Sequence, residues 1–565
     1  MQGISERTIS PLMNAITSFS RILILCFIFV GSSYIVNAQV KADSLSAKAE
    51  TYTMSERINQ AFTPFVDGLS HVLFWDAFEA IGLYDSQVYD ENGKAVVDAN
   101  GSPIKAPLKL IVVWLMAGGL FFTFFLRFIN LRGFWHALQL ISGKYDNHAN
   151  PGEVSHFQAL STALSATVGM GNIAGVAVAV TIGGPGATIW MIAAGFFGMS
   201  LKFAECTLGL KYRRIDASGK VSGGAMYYLK YGLAAKGFPK LGVTLAFLFA
   251  LMAIGGSVGG GNMLQANQAF EQMAIFFPSL KDDGFWYGIA MALLVGLVII
   301  GGIKSIAKVT SRIVPFMAIL YVAASLIIIG MNIGNLHDAF SSIWNGAFSA
   351  DAMKGGFVGV LIFGFQRGAF SNEAGVGSAS IAHATAKTKE PVSEGIVSLI
   401  EPFIDTIVIC TMTALVIIFS GVDTQSGLQG VQLTSAAYGS AISWFPFVLL
   451  IAVTLFAFST MISWSYYGLK GFDYLFGNWG ERLFGSRKVT DNLFNLLFLI
   501  SIVIGTSSSL GPVMDFSDMM VLCMAFPNLL GLFFLAGEVK SDLNAYLHRL
   551  KNGTLISENQ TNENL

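Results

Sequence analysis

The chain has 565 residues, of which 53% are hydrophobic and 12% charged, with a formal net charge of -1. Soluble domains average about 25% charged residues, so this composition, with a mean hydropathy of +0.61, excludes an ordinary soluble domain and indicates a polytopic membrane protein. No basic block points to nucleic acid, and the four cysteines (Cys26, Cys206, Cys410 and Cys523) lie in apolar runs, as buried small hydrophobes do.

Arg7 and Arg21 precede an apolar run from Ile22 to Val36, which Val36-Asn37-Ala38 closes as a small-residue cleavage site. A run of about 15 residues is short for a span and typical of a signal peptide. Residues 1–38 are therefore expected to be a signal peptide, with an uncleaved anchor as the alternative, and 39–107 an extracytoplasmic segment. Within it, Ile58 to Phe78 is amphipathic and is expected at the interface or against the bundle. Two Asn-Gly turns around Ala95-Val96-Val97 predict an exposed hairpin between Tyr89 and Pro107.

Eleven spanning segments follow: 108–126, 157–182, 187–210, 241–272, 285–303, 313–333, 356–382, 394–420, 443–468, 491–511 and 518–537. Lysines and arginines collect after the odd-numbered segments, from Arg127 and Arg132 through Lys211, Arg213 and Arg214 to Lys387, Lys389, Arg487 and the tail. The alternate loops hold only Lys281 and Lys354. The positive-inside rule places the N-terminus outside and the C-terminus in the cytoplasm, in an inner or plasma membrane.

Two segments are interrupted. The second runs Ser165-Ala-Thr167-Val168-Gly169-Met170-Gly171-Asn172-Ile-Ala-Gly175, and the seventh carries Arg367, Asn372 and Glu373 among glycines at 364, 368, 375 and 377. Gly171-x-x-x-Gly175 alone is also a helix-packing pattern. The interruptions lie five segments apart, so each opens a five-helix unit, 2–6 and 7–11, of opposite topology. Such pairing marks a transporter site at the midplane, where half-helix N-termini hold a carboxylate and freed carbonyls hold a cation.

Other intramembrane polar groups carry two readings each. Lys202 and Glu205, at i, i+3, are expected to neutralise each other. Of Arg367 and Glu373, one gates or pairs across the bundle, or the two serve as a purely structural ion pair, and Asp405 either orients a hydroxyl or joins a coupling network. Gln265 faces a cavity or bonds between helices. Ser459 and Thr460 either bond back to their own helix or supply oxygens to a monovalent cation. None of the seven histidines is expected in a mid-membrane cluster. Nucleotide-binding loops and Ser or Cys nucleophile motifs are absent from the sequence, which argues against ATP driving and against an enzyme.

Long stretches are similar to the alanine/glycine:cation symporter family: Phe157 to Val176, Gly183-Gly-Pro-Gly186, Lys202-Phe-Ala-Glu205, Gly261-Asn-Met-Leu-Gln265, Arg367 to Ser378, Phe403-Ile-Asp-Thr406 and Ser463-Trp-Ser-Tyr-Tyr-Gly468. The resemblance implies an all-α LeuT-type fold, a 5+5 inverted repeat plus one extra N-terminal helix. It implies sodium-coupled uptake of alanine and glycine, with Na+ as the co-transported ion and no organic cofactor. On that pattern Thr167, Gly169, Gly171, Asn172 and Gln265 meet the substrate, and Phe363 or Phe365 and Trp464 wall its side-chain pocket. Na+ takes the carbonyls of Ser165, Val168 and Phe456 with the hydroxyls of Ser459 and Thr460. Arg367, Asn372, Glu373 and Asp405 are coupling or gating candidates. Met170 stands where the family usually has threonine, and Gln366 where lysine is usual. The competing readings are proton coupling through Glu373 or Asp405, and a channel-like or substrate-sensing protein of the same fold.

Overall fold

The helices expose large apolar side chains on their outer faces and bury many polar and charged ones within an otherwise apolar core, unlike a soluble bundle. Leu297 and Ile300 are 76% and 80% exposed, whereas Asn172, Glu205, Glu394, Glu401 and Asp405 are completely buried. Apolar side chains gain nothing by leaving lipid, while polar ones must find partners inside the protein. The computed structural model describes residues 54–73, 76, 79, 82, 109–145, 150–217, 219–348, 357–421 and 428–555. The signal-peptide and hairpin expectations lie outside these residues.

In chain order the elements begin with α1 (Met54–Leu73), α2 (Leu110–Phe125) and α3 (Phe134–Ile141), then α4 (His156–Thr167), α5 (Val176–Gly183) and α6 (Ala187–Lys211). A short antiparallel pair, β1 (Arg214–Ile215) and β2 (Val221–Ser222), follows α6 with Arg214 opposite Ser222. Next come α7 (Pro239–Val258), α8 (Leu264–Phe276), α9 (Gly284–Ile299), α10 (Gly302–Met331) and α11 (Leu336–Phe348). The second half holds α12 (Phe357–Asn372), α13 (Ala379–His383), α14 (Pro391–Val397), α15 (Thr411–Ser420), α16 (Val431–Ala441), α17 (Phe445–Phe484), α18 (Arg487–Ser507), α19 (Leu510–Cys523) and α20 (Ala525–Lys551).

Seven described helices are long and apolar enough to cross a membrane: Ala187–Lys211, Pro239–Phe276, Gly302–Met331, Pro391–Ser420, Phe445–Phe484, Arg487–Ser507 and Leu510–Lys551. The pair α4 and α5, bent by 49° at its interruption, makes an eighth. Leu110–Phe125 and Gly284–Ile299 are shorter apolar helices. Several helices outrun the apolar segments: the ninth continues from 468 to Phe484 and the eleventh starts at Leu510 and ends at Lys551. Hydropathy marks only the apolar part of a helix, and backbone hydrogen bonding does not stop where lipid does.

The N-terminal amphipathic segment forms α1, which lies against the bundle with the Phe62 ring 5.7 Å from that of Phe516. The start of α4 is fixed by a capping box: Ser155 Oγ accepts the Gln158 N–H while Gln158 Oε1 accepts that of Ser155. Widened π-type turns occur at Gly171–Gly175, Gly259–Met263 and Phe403–Cys410. Such turns insert a residue into the helical ladder and free backbone groups for other partners.

Candidate functional site

Those three widened turns carry, or directly precede, Asn172, Gln265 and Asp405, and they converge on the first interruption. Val168 leaves the helix at φ -73, ψ 91. The backbone donors beyond it have lost their helical acceptors and must find others. Gly169 N–H donates to Asn172 Oδ1 at 2.8 Å, and Met170 N–H to Gln265 Oε1 at 3.0 Å. Gln265 is anchored in turn, its Nε2 donating to Gly260 O at 2.8 Å. A Cβ at Gly169 would stand 2.8 Å from both Gln265 Oε1 and Thr460 Oγ1, so only glycine allows this approach. The Thr167 hydroxyl donates back to Ala163 and Leu164 carbonyls of its own helix, both at 3.3 Å.

Asn172 Nδ2 reaches Asp405, 2.7 Å from Oδ1 and 2.9 Å from the carbonyl. Asp405 Oδ2 accepts from Ser371 Oγ at 2.8 Å and Thr406 Oγ1 at 2.6 Å. Hydrogen bonds from these donors to a carboxylate are the strong kind, and they keep it in place without an adjacent cation.

The second interruption turns on left-handed residues. Glu373 has φ 54, Gly375 φ 87 and Gly377 φ 89, and these left-handed residues end α12. Glu373 Oε2 accepts from Ser378 Oγ at 2.6 Å and its Oε1 from Trp464 Nε1 at 3.1 Å. The same indole nitrogen lies 3.3 Å from Ala166 O. Trp464 on α17 therefore joins the two interruptions.

The residues expected to take a cation are brought together. Thr460 Oγ1 donates across the helix pair to Ser165 O at 2.9 Å, with Val168 O at 3.5 Å. Ser165 Oγ donates to Ser459 O at 2.6 Å, and Ser459 Oγ donates to Phe456 O of its own helix at 3.1 Å. Ser459 thus bonds back to its own helix, as one of the two readings has it, whereas Thr460 bridges to the interrupted helix. The locus offers three carbonyl and two hydroxyl oxygens, the hard donors that a small monovalent cation requires.

Other residues stand elsewhere than expected. Phe363 packs near Gly183, and Phe365 lines a small cleft with Leu115, Ala194 and Leu201. The ring at the first interruption is Phe370, 3.6 Å from a Cβ built on Gly171 and 3.5 Å from one on Gly260. Phe365, five residues before Phe370, points to another face of α12, whereas Phe363, seven residues before, shares the face of Phe370 but stands about two turns away along the axis. Arg367 does not pair with Glu373. Its guanidinium grips Asp518 on α19, NH1 to Oδ1 at 3.1 Å and NH2 to Oδ2 at 2.5 Å, and Gln366 Nε2 joins Oδ2 at 3.0 Å.

Lys202 pairs with Glu401 at 3.1 Å rather than with Glu205, which accepts from Asn528 Nδ2 at 2.8 Å. A buried lysine extends to whichever carboxylate is best placed in space, and here that residue lies 199 positions along the chain. Two histidines meet buried acids at the helix tips, a grouping that the sequence reading did not include. His156 and His383 are buried, and each directs Nδ1 at the Glu394 carboxylate, while His383 Nε2 meets Glu401 Oε1 at 2.5 Å. Asp518, Glu394 and Glu401 escaped the sequence reading, although an acid inside an apolar segment is itself a signal.

Residues 91–560 match the model of the "Sodium:alanine symporter family". The "Sodium/alanine symporter AgcS" of Methanococcus maripaludis is 41% identical over 463 residues, covering 81% of this chain and 98% of that protein. The "Probable sodium/glutamine symporter GlnT" of Bacillus subtilis is 33% identical over 448 residues, covering 79% and 89%. Among solved structures, "Crystal structure of MhsT in complex with L-phenylalanine" has a TM-score of 0.48 at 15% identity, over 69% of this chain and 89% of that one. The family match over most of its length and the 41% identity to an archaeal symporter show that this chain belongs to the sodium:alanine symporter family, a family of membrane transporters.

Proposed function

We propose that the protein is a secondary transporter that couples Na+ entry to uptake of small neutral amino acids, alanine and glycine foremost. In this reading the fold is LeuT-type, with eleven spans: one extra N-terminal helix (α2) followed by two inverted five-helix units. The N-terminus lies outside and the C-terminus in the cytoplasm.

One observation carries the proposal. The Thr460 hydroxyl crosses from an unbroken helix to Ser165 O, next to a backbone gap where Gly169 allows no side chain. A cation held there by Ser165, Val168, Phe456, Ser459 and Thr460 ties the two helices together. The amino-acid carboxylate is met at Gly169, Met170 and Gly171, where it displaces the amide oxygens of Asn172 and Gln265 from the backbone N–H groups. Phe370, Trp464 and Met170 then leave room for a small side chain only. The Arg367–Asp518 pair closes the opposite, extracytoplasmic approach to Gly171, and Asp405 answers Asn172 whether or not substrate is present.

The experiment is a panel of labelled amino acids offered to proteoliposomes with sodium, lithium or proton gradients as driver. Uptake of alanine and glycine driven by sodium supports the reading. Uptake driven by protons alone would move the coupling to Asp405 or Glu373, the two buried carboxylates beside the interruptions.

A further inference from the structure

α1 lies away from the two interruptions, yet its packing leads to them. Along it Asn59, Phe62, Val66 and Leu69 recur at i, i+3, i+7 and i+10, one face of a helix. Helices draw most of their stability from the packing of such a face, and Pro64 inside α1 removes one of its own hydrogen bonds. What that face touches therefore decides whether α1 holds. Val66 is buried. The Phe62 ring meets the Phe516 ring of α19 edge to face, with centroids 5.7 Å apart and planes at 77°, and Phe65 stands 6.3 Å from the same ring. Asn59 Oδ1 accepts from the Ser509 N–H at 2.9 Å and from the Ser509 hydroxyl at 3.1 Å, at the turn between α18 and α19. The bundle grips that turn from its other side, where Asn267 Nδ2 donates to Ser508 O at 2.7 Å and Gly505 O at 3.1 Å.

Phe516 also meets the widened turn Gly259–Met263. A Cβ on Gly259 would fall 2.9 Å from Phe516 Cδ1 and 3.1 Å from Ser517 Cα, and one on Gly260 would fall 2.7 Å from Val521 Cγ2. Gly260 in turn backs the site: the same built Cβ is 3.5 Å from Phe370 Cζ, and Gly260 O accepts from Gln265 Nε2 at 2.8 Å. The order of contact is α1, then α19, then the glycine turn, then Phe370 and Gln265 at the first interruption. Close-packed interiors transmit displacement. With glycines at the turn, no flexible side chain stands between α19 and this backbone to absorb it. The Phe516 ring is only 8% exposed, and the rings of α1 supply part of its cover.

We infer that α1 braces the substrate pocket, with Asn59, Phe62 and Phe516 as positioning residues that fix the Gly259–Met263 turn behind Phe370 and so set the size of amino acid accepted. The link to amino-acid size rests on the transport reading, whereas the brace itself does not.

Two measurements on the full-length protein test this. The first is amide hydrogen exchange of peptides spanning 259–265, in nanodiscs, which needs no transport. Exchange is expected to quicken about tenfold in Phe62→Ala and in Phe516→Ala, and to keep the wild-type rate in Phe62→Tyr, which retains the ring edge. The second is competition against labelled alanine uptake in proteoliposomes, with unlabelled alanine or valine as competitor. The preference for alanine over valine is expected to fall at least about threefold in the two alanine variants. Phe62→Ala adds little on top of Phe516→Ala, because both act through one contact. Should Phe516→Ala not assemble, the double variant Asn59→Ala, Phe62→Ala takes its place, since both changes lie on α1. Unchanged exchange in the variants, or an unchanged preference in a protein that transports, overturns the inference. Faster exchange in the variants of a protein that takes up no alanine upholds the brace and sinks the transport reading.

Discussion

Asn172 Nδ2 lies 2.7 Å from Asp405 Oδ1, while the oxygen of the same amide accepts the Gly169 N–H at 2.8 Å. One side chain thus ties the backbone of the first interruption to a buried carboxylate on a neighbouring helix. Both ends of this bridge are completely buried.

Replacing Asn172 with alanine removes both bonds and leaves Asp405 short of a donor. A hydrogen bond to a charged group is worth about 1.5–3 kcal/mol. Initial alanine uptake by Asn172→Ala is expected to fall at least tenfold at equal protein in the membrane, quantified by immunoblot. Wild-type rates would remove Asn172 from the site.

Thr460 is the bridging hydroxyl of the cation locus. Thr460→Ala removes one oxygen ligand and the contact to Ser165 O, so the sodium concentration for half-maximal uptake is expected to rise by about tenfold, equivalent to about 1.4 kcal/mol. A sodium titration of uptake reads this directly. An unchanged half-saturation point takes Thr460 out of the ion site.

Gly261 lies beneath Trp464: a Cβ there would fall 2.1 Å from the ring's Cγ. The ring cannot yield without losing its bonds to Glu373 and Ala166 O. Gly261→Ala is expected to destabilise the protein by about 1–3 kcal/mol, the usual result of overpacking, and to abolish uptake. Gly330, near the end of α10, has nothing within 4 Å of a built Cβ. Gly330→Ala is the control and is expected to be neutral or slightly stabilising in a thermal-shift assay.

His136 on α3 gives a pH dependence outside the membrane-spanning helices. Burial lowers its pKa from 6.5, and its Nε2 meets the Tyr546 hydroxyl of α20 at 2.8 Å. Because the folded value is depressed, the unfolded chain binds the proton more readily. The stability contribution is therefore present above pH 6.5 and is lost as pH falls below it, towards the folded value. The melting temperature is expected to drop between pH 7.5 and 5, and His136→Gln to lose part of that drop. An identical pH slope in the variant would show that His136 stays neutral and uninvolved.

The interruptions were legible because they break a local rule: glycine and an amide have no place in a lipid-facing helix, and Gly169, Gly171 and Asn172 announce themselves by type. The Ser459–Thr460 pair was legible for the same reason. Pairings across the bundle were not. Arg367 and Asp518 are 151 residues apart, and Lys202 and Glu401 farther still, and for Lys202 helical spacing offered Glu205 as a nearer but wrong partner. The grouping of two histidines was hidden for another reason. His156 and His383 sit at helix tips, where a sequence shows only the edge of an apolar run, and their meeting at Glu394 depends on how two half-helices end together in space. Phe370 was missed because Phe363 shares its helical face, and the pattern does not say which turn of α12 reaches the first interruption.

Labelled alanine uptake into proteoliposomes of purified protein tests the central claim most directly, measured with an inward sodium gradient and with equal sodium on both sides. Accumulation above the external concentration only when the gradient is imposed is the expected result. Equal uptake in the two conditions would contradict sodium coupling.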